Sequence, residues 1–276
     1  MNRQVPEKIA IIGDGKVARH MIRYFELVGQ SHIQWFRQQR SGVSTKPVRK
    51  QSKLARLKNK LTDMFTPKNT AALADSLAGV SKVLLLISDD QIEPFIKAHP
   101  ILKTKTCIHF SGSLNSELAI ACHPLMTFGV DYYELTQYQA IPFVVDEGAD
   151  FTKLFPLLKN PVYPIKAEHK VKYHAMCVMA GNFTQMLWQH IATEMKLMNL
   201  PAELMSPYLL QNTINYINNP QCSQTGPFVR GDVITIAKHQ DALKTHALGD
   251  IYQAFYDLHQ LSEHGLHTPS PQRNLQ

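Results

Sequence analysis

The chain has 276 residues, 44% of them hydrophobic, and a formal net charge of +7, enough for one large domain or two with a substantial core. No apolar run approaches the ~20 residues that a membrane-spanning helix needs. Four scattered cysteines (Cys107, Cys122, Cys177, Cys222) lack paired metal-ligand spacing, so no metal site is expected and the thiols are expected reduced, in a cytoplasmic protein.

The positive charge is local. Residues 37–68 hold ten of the 29 basic residues and one of the 22 acidic ones, leaving nineteen basic against twenty-one acidic elsewhere. One segment makes the protein basic; the rest is a mildly acidic globule, and nucleic acid is not the expected partner.

The first residues run directly, without a secretory signal pattern, into Ile9-Ala-Ile-Ile12, a short apolar run suited to a strand buried on both faces of a parallel sheet. Gly13-Asp14-Gly15-Lys16-Val17-Ala18 follows, then Met21, Ile22 and Phe25 at helical spacing. Strand, glycine turn and helix in that order match the dinucleotide-binding pattern. The first glycine makes the tight turn, the second lets backbone approach a pyrophosphate, and a small third residue lets helix and strand pack closely. The amides that open the helix would face the phosphates.

The second strand, 32–37, ends in Arg37, with Arg40 shortly after and no acid before Asp63. A carboxylate at this strand end grips a free ribose hydroxyl, whereas a 2′-phosphate calls for arginine, so NADP(H) is favoured over NAD. Arg40 reads equally as a solvated loop charge. The basic segment 41–67 is long for a connection. Its amphipathic part, with Leu54, Leu57, Leu61, Met64 and Phe65 on one face, reads as a docked surface helix. A flap over the cofactor phosphate, or a surface for RNA or anionic lipid, are the functional alternatives.

Strands are then expected at 82–87, 106–110, 121–128 and 140–145, with a last one at 162–165. Pro142 argues that the strand at 140–145 lies at an edge or carries a bulge. Ser88, Asp89 and Ser111 fall at strand ends, where a doubly wound sheet lines its ligand crevice; Ser88 or Asp89 could instead cap the following helix. Beyond about residue 166 the chain reads as helices at 172–196, 202–218, 232–238 and 243–262, with a tail from 267.

The first of these helices is apolar on most sides, which predicts a central, buried position. His174, Val178, Gly181, Asn182, Gln185 and Gln189 share one stripe of it. His174 and Asn182 either bind substrate or satisfy neighbouring backbone. Thr225-Gly-Pro-Phe-Val-Arg-Gly-Asp232 is a polar loop able to present Thr225, Arg230 and Asp232 to a ligand. The structural alternative is an Arg230–Asp232 pair with Asp232 capping the next helix.

Taken in order, Gly13-Asp-Gly-Lys-Val-Ala18, His109-Phe-Ser-Gly112, His123-Pro-Leu-Met-Thr-Phe128, Tyr173-His174 leading to Asn182-Phe183, and Thr225 to Asp232 resemble a known family. They are similar to the Rossmann-like NADP oxidoreductases of deazaflavin type that carry a C-terminal helical domain of unknown function. More distant relatives are ketopantoate reductase, pyrroline-carboxylate reductase and the β-hydroxyacid dehydrogenases. The resemblance spans nearly the whole chain. It implies that Ser111, Gly112, His123, Asn182, Arg230 and Asp232 gather at an interdomain cleft, and that the protein pairs as a homodimer through its C-terminal helices. It departs from the β-hydroxyacid dehydrogenases at Val178, where their catalytic lysine stands four residues before the asparagine.

The expected architecture is therefore α/β: a Rossmann domain over 1–166 with a basic insertion at 41–67, and an all-α domain over 167–276. The expected function is NADP(H)-dependent hydride transfer to or from a carbonyl or imine of a small polar substrate. Gly13, Asp14, Gly15, Lys16, Val17, Ala18, Arg37, Arg40, Ser88, Asp89 and Ser111 would hold cofactor. Gly112, Thr225, Arg230 and Asp232 would hold substrate, and His174, His123 and Asn182 would serve catalysis. The missing lysine keeps a non-catalytic NADP-binding sensor as the alternative; an RNA- or membrane-associated protein ranks third.

Overall fold

A computed structural model of the chain describes residues 7–35 and 73–263. Arg37, Arg40 and the basic segment 41–67 lie outside the described residues. The chain divides into two compact units, Met1–Leu187 and Trp188–Gln276.

The first unit is built on β1 (Ile9–Ile12), β2 (His32–Trp35), β3 (Lys82–Leu85), β4 (Thr106–His109), β5 (Ile120–Pro124), β6 (Phe143–Asp146) and β7 (Val162–Ile165). They form one sheet in the order β2-β1-β3-β4-β5-β6-β7. Neighbours are parallel except β5 and β6, which pair antiparallel. Because β2 and β3 flank β1 on opposite sides, the chain reverses its winding direction at β1. The crevice of a doubly wound sheet therefore opens outside the carboxyl ends of β1 and β3.

Alternation along the strands sorts side chains into two layers. On one face Ile9, Ile11, Leu84, Ile108, Cys122 and Phe143 pack against Met21, Tyr24 and Phe25 of α1 (Lys16–Val28). The same layer takes Tyr138 of α3 (Leu135–Ala140) and Phe151 and Leu154 of α4 (Phe151–Leu154). On the other face Ala10, Ile12, Val83, Leu85 and Cys107 meet Leu73, Leu77 and the inner side of α2 (Asp89–Ala98). Burying a side chain of this size is worth about 1.5–3 kcal/mol, so these two layers dominate the stability of the unit.

Pro142 does not mark an edge. It precedes the first residue of β6, an interior strand between β5 and β7. Its missing N–H thus falls outside the ladder, while its carbonyl accepts from Leu125 N–H at 2.9 Å. Pro124 closes the interior strand β5 as its last residue, while Pro164 sits within the outermost strand β7, where proline's lost donor is tolerated.

After β7 the helix α5 (Ala167–Val178) runs into a π-helical segment, Met179–Phe183, and on into α6 (Thr184–Leu197). Its expected burial is not found: Val171, Met176, Met179 and Phe183 are each at least half exposed. Apolar composition alone could not tell a helix buried within its own chain from one whose faces the chain leaves open.

The second unit continues from α6 through a 3-10 turn at Ala202–Met205 to α7 (Ser206–Asn218), α8 (Val233–Leu243) and α9 (Gly249–Glu263). Helices α8 and α9 are joined by His239 to Tyr252 at 3.0 Å and Gln240 to Gln253 at 2.9 Å. The Phe228 ring packs against Tyr252, Tyr256 and His259.

Candidate active site

Gly13 adopts φ +136°, open to glycine but not to other residues, and an added Cβ would run into the Leu86 carbonyl oxygen. The turn is held from β2: Gly13 N–H donates to Trp35 O at 3.1 Å, and Gln34 donates to Gly13 O at 2.8 Å. Gly15 differs. It is the N-cap of α1 with φ −74°, no side chain caps the helix, and its first turn holds no acid. Space beside its Cα is open to 4 Å. Ala18 is fully buried against the sheet, as the small third position demands. Asp14 pairs with Arg19 at 3.3 Å, Lys16 is exposed and Val17 packs on the core. Uncapped amides at the end of a helix dipole, with no side chain in front, form an anion-accepting surface.

At the neighbouring strand ends, Asp89 accepts a short hydrogen bond from the Ser111 hydroxyl. That same oxygen accepts the amides of Ser113 at 3.3 Å and Leu114 at 3.0 Å. Ser111 is therefore a structural hub of its turn, and Asp89 bridges two strand ends. The N-cap residue Ser88 makes no side-chain cap of α2.

Helix α5 brings the remaining groups together. An added Cβ on Gly112 would lie 2.6 Å from His174 Cδ2 and 3.2 Å from both Cδ2 and Nε2 of His123. The two imidazoles stand perpendicular at 5.7 Å. Gly112, His123 and His174, drawn from the turn after β4, from β5 and from α5, thus meet at one point, and only the absent side chain at 112 leaves room for both rings. His123 Nδ1 lies 2.8 Å from the Tyr173 hydroxyl. Burial first, and then the His174 ring, lower the His123 pKa to about 4; burial and the neighbouring Cys177 raise that of Tyr173. His123 is thus neutral at physiological pH. Asn182 is exposed on the π-helical segment.

Two elements of this arrangement escaped the sequence reading. Lys170, 2% exposed, holds Asp146 at 2.7 Å, and Asp146 also accepts the Ala121 amide at 2.7 Å. This ion pair ties α5 to β6 one helical turn before His174. Buried His20 on α1 joins Tyr138 at 2.9 Å and the Gly129 carbonyl at 3.4 Å, fastening the loop that follows β5. Neither could be found from spacing, since the partners lie 24 and more than 100 residues apart.

In the second unit Asp232 caps α8, accepting from Thr235 N–H at 3.2 Å and Oγ1 at 2.8 Å. Those bonds hold its carboxyl below the ordinary range. Arg230 is exposed, with its amide bonded to Gly226 O at 3.2 Å; Thr225 is exposed. Asp232 is thus the N-cap of α8.

Residues 147–258 match a domain of unknown function, DUF2520. Several solved structures share the fold. A Bacteroides fragilis protein described as a candidate NADP oxidoreductase is 18% identical with a TM-score of 0.62, over 95% of this chain and 98% of that one. A 1-pyrroline-5-carboxylate reductase from Streptococcus pyogenes is 16% identical with a TM-score of 0.53, over 95% and 100%. A reductive aminase from Aspergillus terreus, solved with NADPH and ethyl levulinate, is 12% identical with a TM-score of 0.56, over 94% of each chain. A search of curated proteins returns no match. The domain match and the fold agree with the resemblance drawn from the motifs.

Proposed function

We propose that the protein is an NADP(H)-dependent oxidoreductase that transfers hydride to or from a carbonyl or imine carbon of a small polar substrate. The observation that carries this reading is the glycine turn. Gly13 is required by the close approach of Leu86, and Ala18 by helix–sheet packing. Gly15 has no such internal reason: its Cβ would enter open space at an uncapped helix start. A glycine with no role in packing, facing free amides, is explained by a ligand that needs the room. These features fit a dinucleotide pyrophosphate on residues 13–18.

When bound, the cofactor would supply or accept a hydride; the protein's part is to bind, orient and manage the proton. Asp89 and the Ser111 turn border the crevice mouth. His123 and His174 converge beside Gly112 and can hold or pass a proton at a substrate oxygen or nitrogen. Asn182, Arg230 and Thr225 are assigned to the substrate by the motif. Turnover of NADPH across keto acids and cyclic imines tests the reaction; no turnover with any of them would count against it.

Val178 favours a second reading. No lysine stands four residues before Asn182, and Lys170 is buried in its ion pair with Asp146. A cofactor-binding sensor would bind NADPH tightly and turn over none of the panel. An RNA or membrane role would rest on the basic segment 41–67; salt-sensitive binding of RNA or anionic vesicles, lost on deleting 46–60, would support it.

A further inference from the structure

We propose that Tyr173 is a positioning residue that locks His123 as the uncharged Nε2–H tautomer, so that the site offers a neutral N–H donor to a substrate acceptor atom. The inference rests on the assignment of His123 to the site made above.

Tyr173 is a half-buried phenol on α5 whose hydroxyl lies 2.8 Å from His123 Nδ1, with the rings nearly perpendicular at 81°. Two proton arrangements satisfy that distance. In one, the phenol O–H donates to Nδ1, leaving the imidazole proton on Nε2. In the other, Nδ1–H donates to the phenol oxygen, whose own proton must then turn away from the imidazole, toward the Cys177 sulfur one turn along the helix or toward solvent. The first pairs the strongest donor present with the strongest acceptor, an imidazole nitrogen. The second gives the phenol proton to sulfur, a weak acceptor, or to solvent. The first therefore prevails.

His123 Nε2 is then the free end. Among the described residues it has no hydrogen-bond partner, and it lies on the edge turned toward Gly112, where an added Cβ would approach it to 3.2 Å. The groups around this ring are Tyr173, His174 and, at longer range, Asp89. Burial keeps it uncharged. A neutral imidazole N–H recognises an acceptor, such as a keto oxygen or an unprotonated imine nitrogen, and offers nothing to a protonated iminium. The inference therefore narrows the substrate to the acceptor form.

Two-bond 15N–1H correlation spectra of the full-length protein, selectively labelled at histidine and recorded at pH 7.5 without cofactor, test this directly. The wild type is expected to show His123 with Nε2 protonated and Nδ1 bare. Tyr173→Phe, which keeps the ring but removes the hydroxyl, is expected to lose that single-tautomer signature, while Cys177→Ala keeps it. A wild-type His123 protonated on Nδ1, or charged, would overturn the proposal, as would a Tyr173→Phe spectrum unchanged from wild type. The wild-type spectrum decides even where the variant fails to fold. Because no nucleotide or turnover enters, failure here and failure of the oxidoreductase reading are separate results.

Discussion

At the scale of single residues, the two glycines of the first turn make opposite predictions. Gly13→Ala forces a side chain onto the Leu86 carbonyl at a φ of +136°, so the variant should be strongly destabilised or fail to fold. Gly15→Val has φ −74° and open space. It should melt within a few degrees of wild type and lose nucleotide binding. Thermal denaturation of both variants checks the contrast; equal losses of stability would contradict it. The histidines supply a pH prediction. Burial lowers His109 to about 4, and His123 likewise. Above about pH 7.5 both are neutral in either state of the chain. As pH falls from there to 4, the unfolded chain takes up protons that the folded chain refuses, so stability drops. The loss from buried His109 alone is on the order of 3 kcal/mol, and that from half-buried His123 is smaller. Urea denaturation at pH 7.5, 5.5 and 4.5 should show the decline, and His109→Gln should flatten it. The glycine turn was legible in the sequence because its geometry is local. The Tyr173–His123 contact was not, because it joins residues fifty positions apart and either residue has an unremarkable neighbourhood in sequence.

At the scale of elements, an ion pair with a buried ammonium fastens α5 to the sheet, alongside the Tyr173–His123 contact. Lys170 and Asp146 hold helix to strand, and Asp146 also satisfies the Ala121 amide. Asp146→Ala would leave an ammonium and an amide buried without partners, and should cost about 3–5 kcal/mol. The pair Lys170→Met with Asp146→Asn removes the charge while keeping an acceptor for Ala121, and should recover most of that loss. Chemical denaturation of the three proteins decides it; a double variant no better than Asp146→Ala would show that the loss comes from the missing pair itself and not from buried groups left without partners. The inner strands β1 and β3 were plain as short apolar runs, since strands buried on both faces need continuous apolar sequence. Pro142 misled because a proline just before a strand and one inside it look alike until the pairing register is known. The expected stripe on the long helix held His174 but did not foretell its meeting with Gly112 and His123, and it could not reveal the π-helical segment that breaks helical spacing around Asn182.

At the scale of the whole molecule, no helix among the described residues is long and apolar enough to cross a membrane. The second unit nevertheless exposes Leu197, Tyr208, Leu210, Ile217, Val233 and Ile234, each by more than half, and Ile236 is its one fully buried apolar side chain among the described residues. Exposed apolar side chains in this number call for a cover, and we propose that a second copy provides it. Sedimentation at micromolar concentration should show a species of twice the 31.3 kDa chain mass; a single-chain species alone would contradict this. The central claim, an NADP(H) site on the first turn, is tested most directly by calorimetric titration of NADPH and NADH into wild type, Gly15→Val and Arg37→Ala. A guanidinium contact to the 2′-phosphate is worth about 1.5–3 kcal/mol, which at ~1.4 kcal/mol per decade is a ten- to hundredfold preference. Wild type should therefore bind NADPH more tightly than NADH by that factor, Arg37→Ala should lose the preference with NADH binding nearly unchanged, and Gly15→Val should bind neither. Equal wild-type affinity for the two nucleotides would contradict the NADP assignment, and a folded Gly15→Val that binds NADPH as wild type does would contradict the site itself.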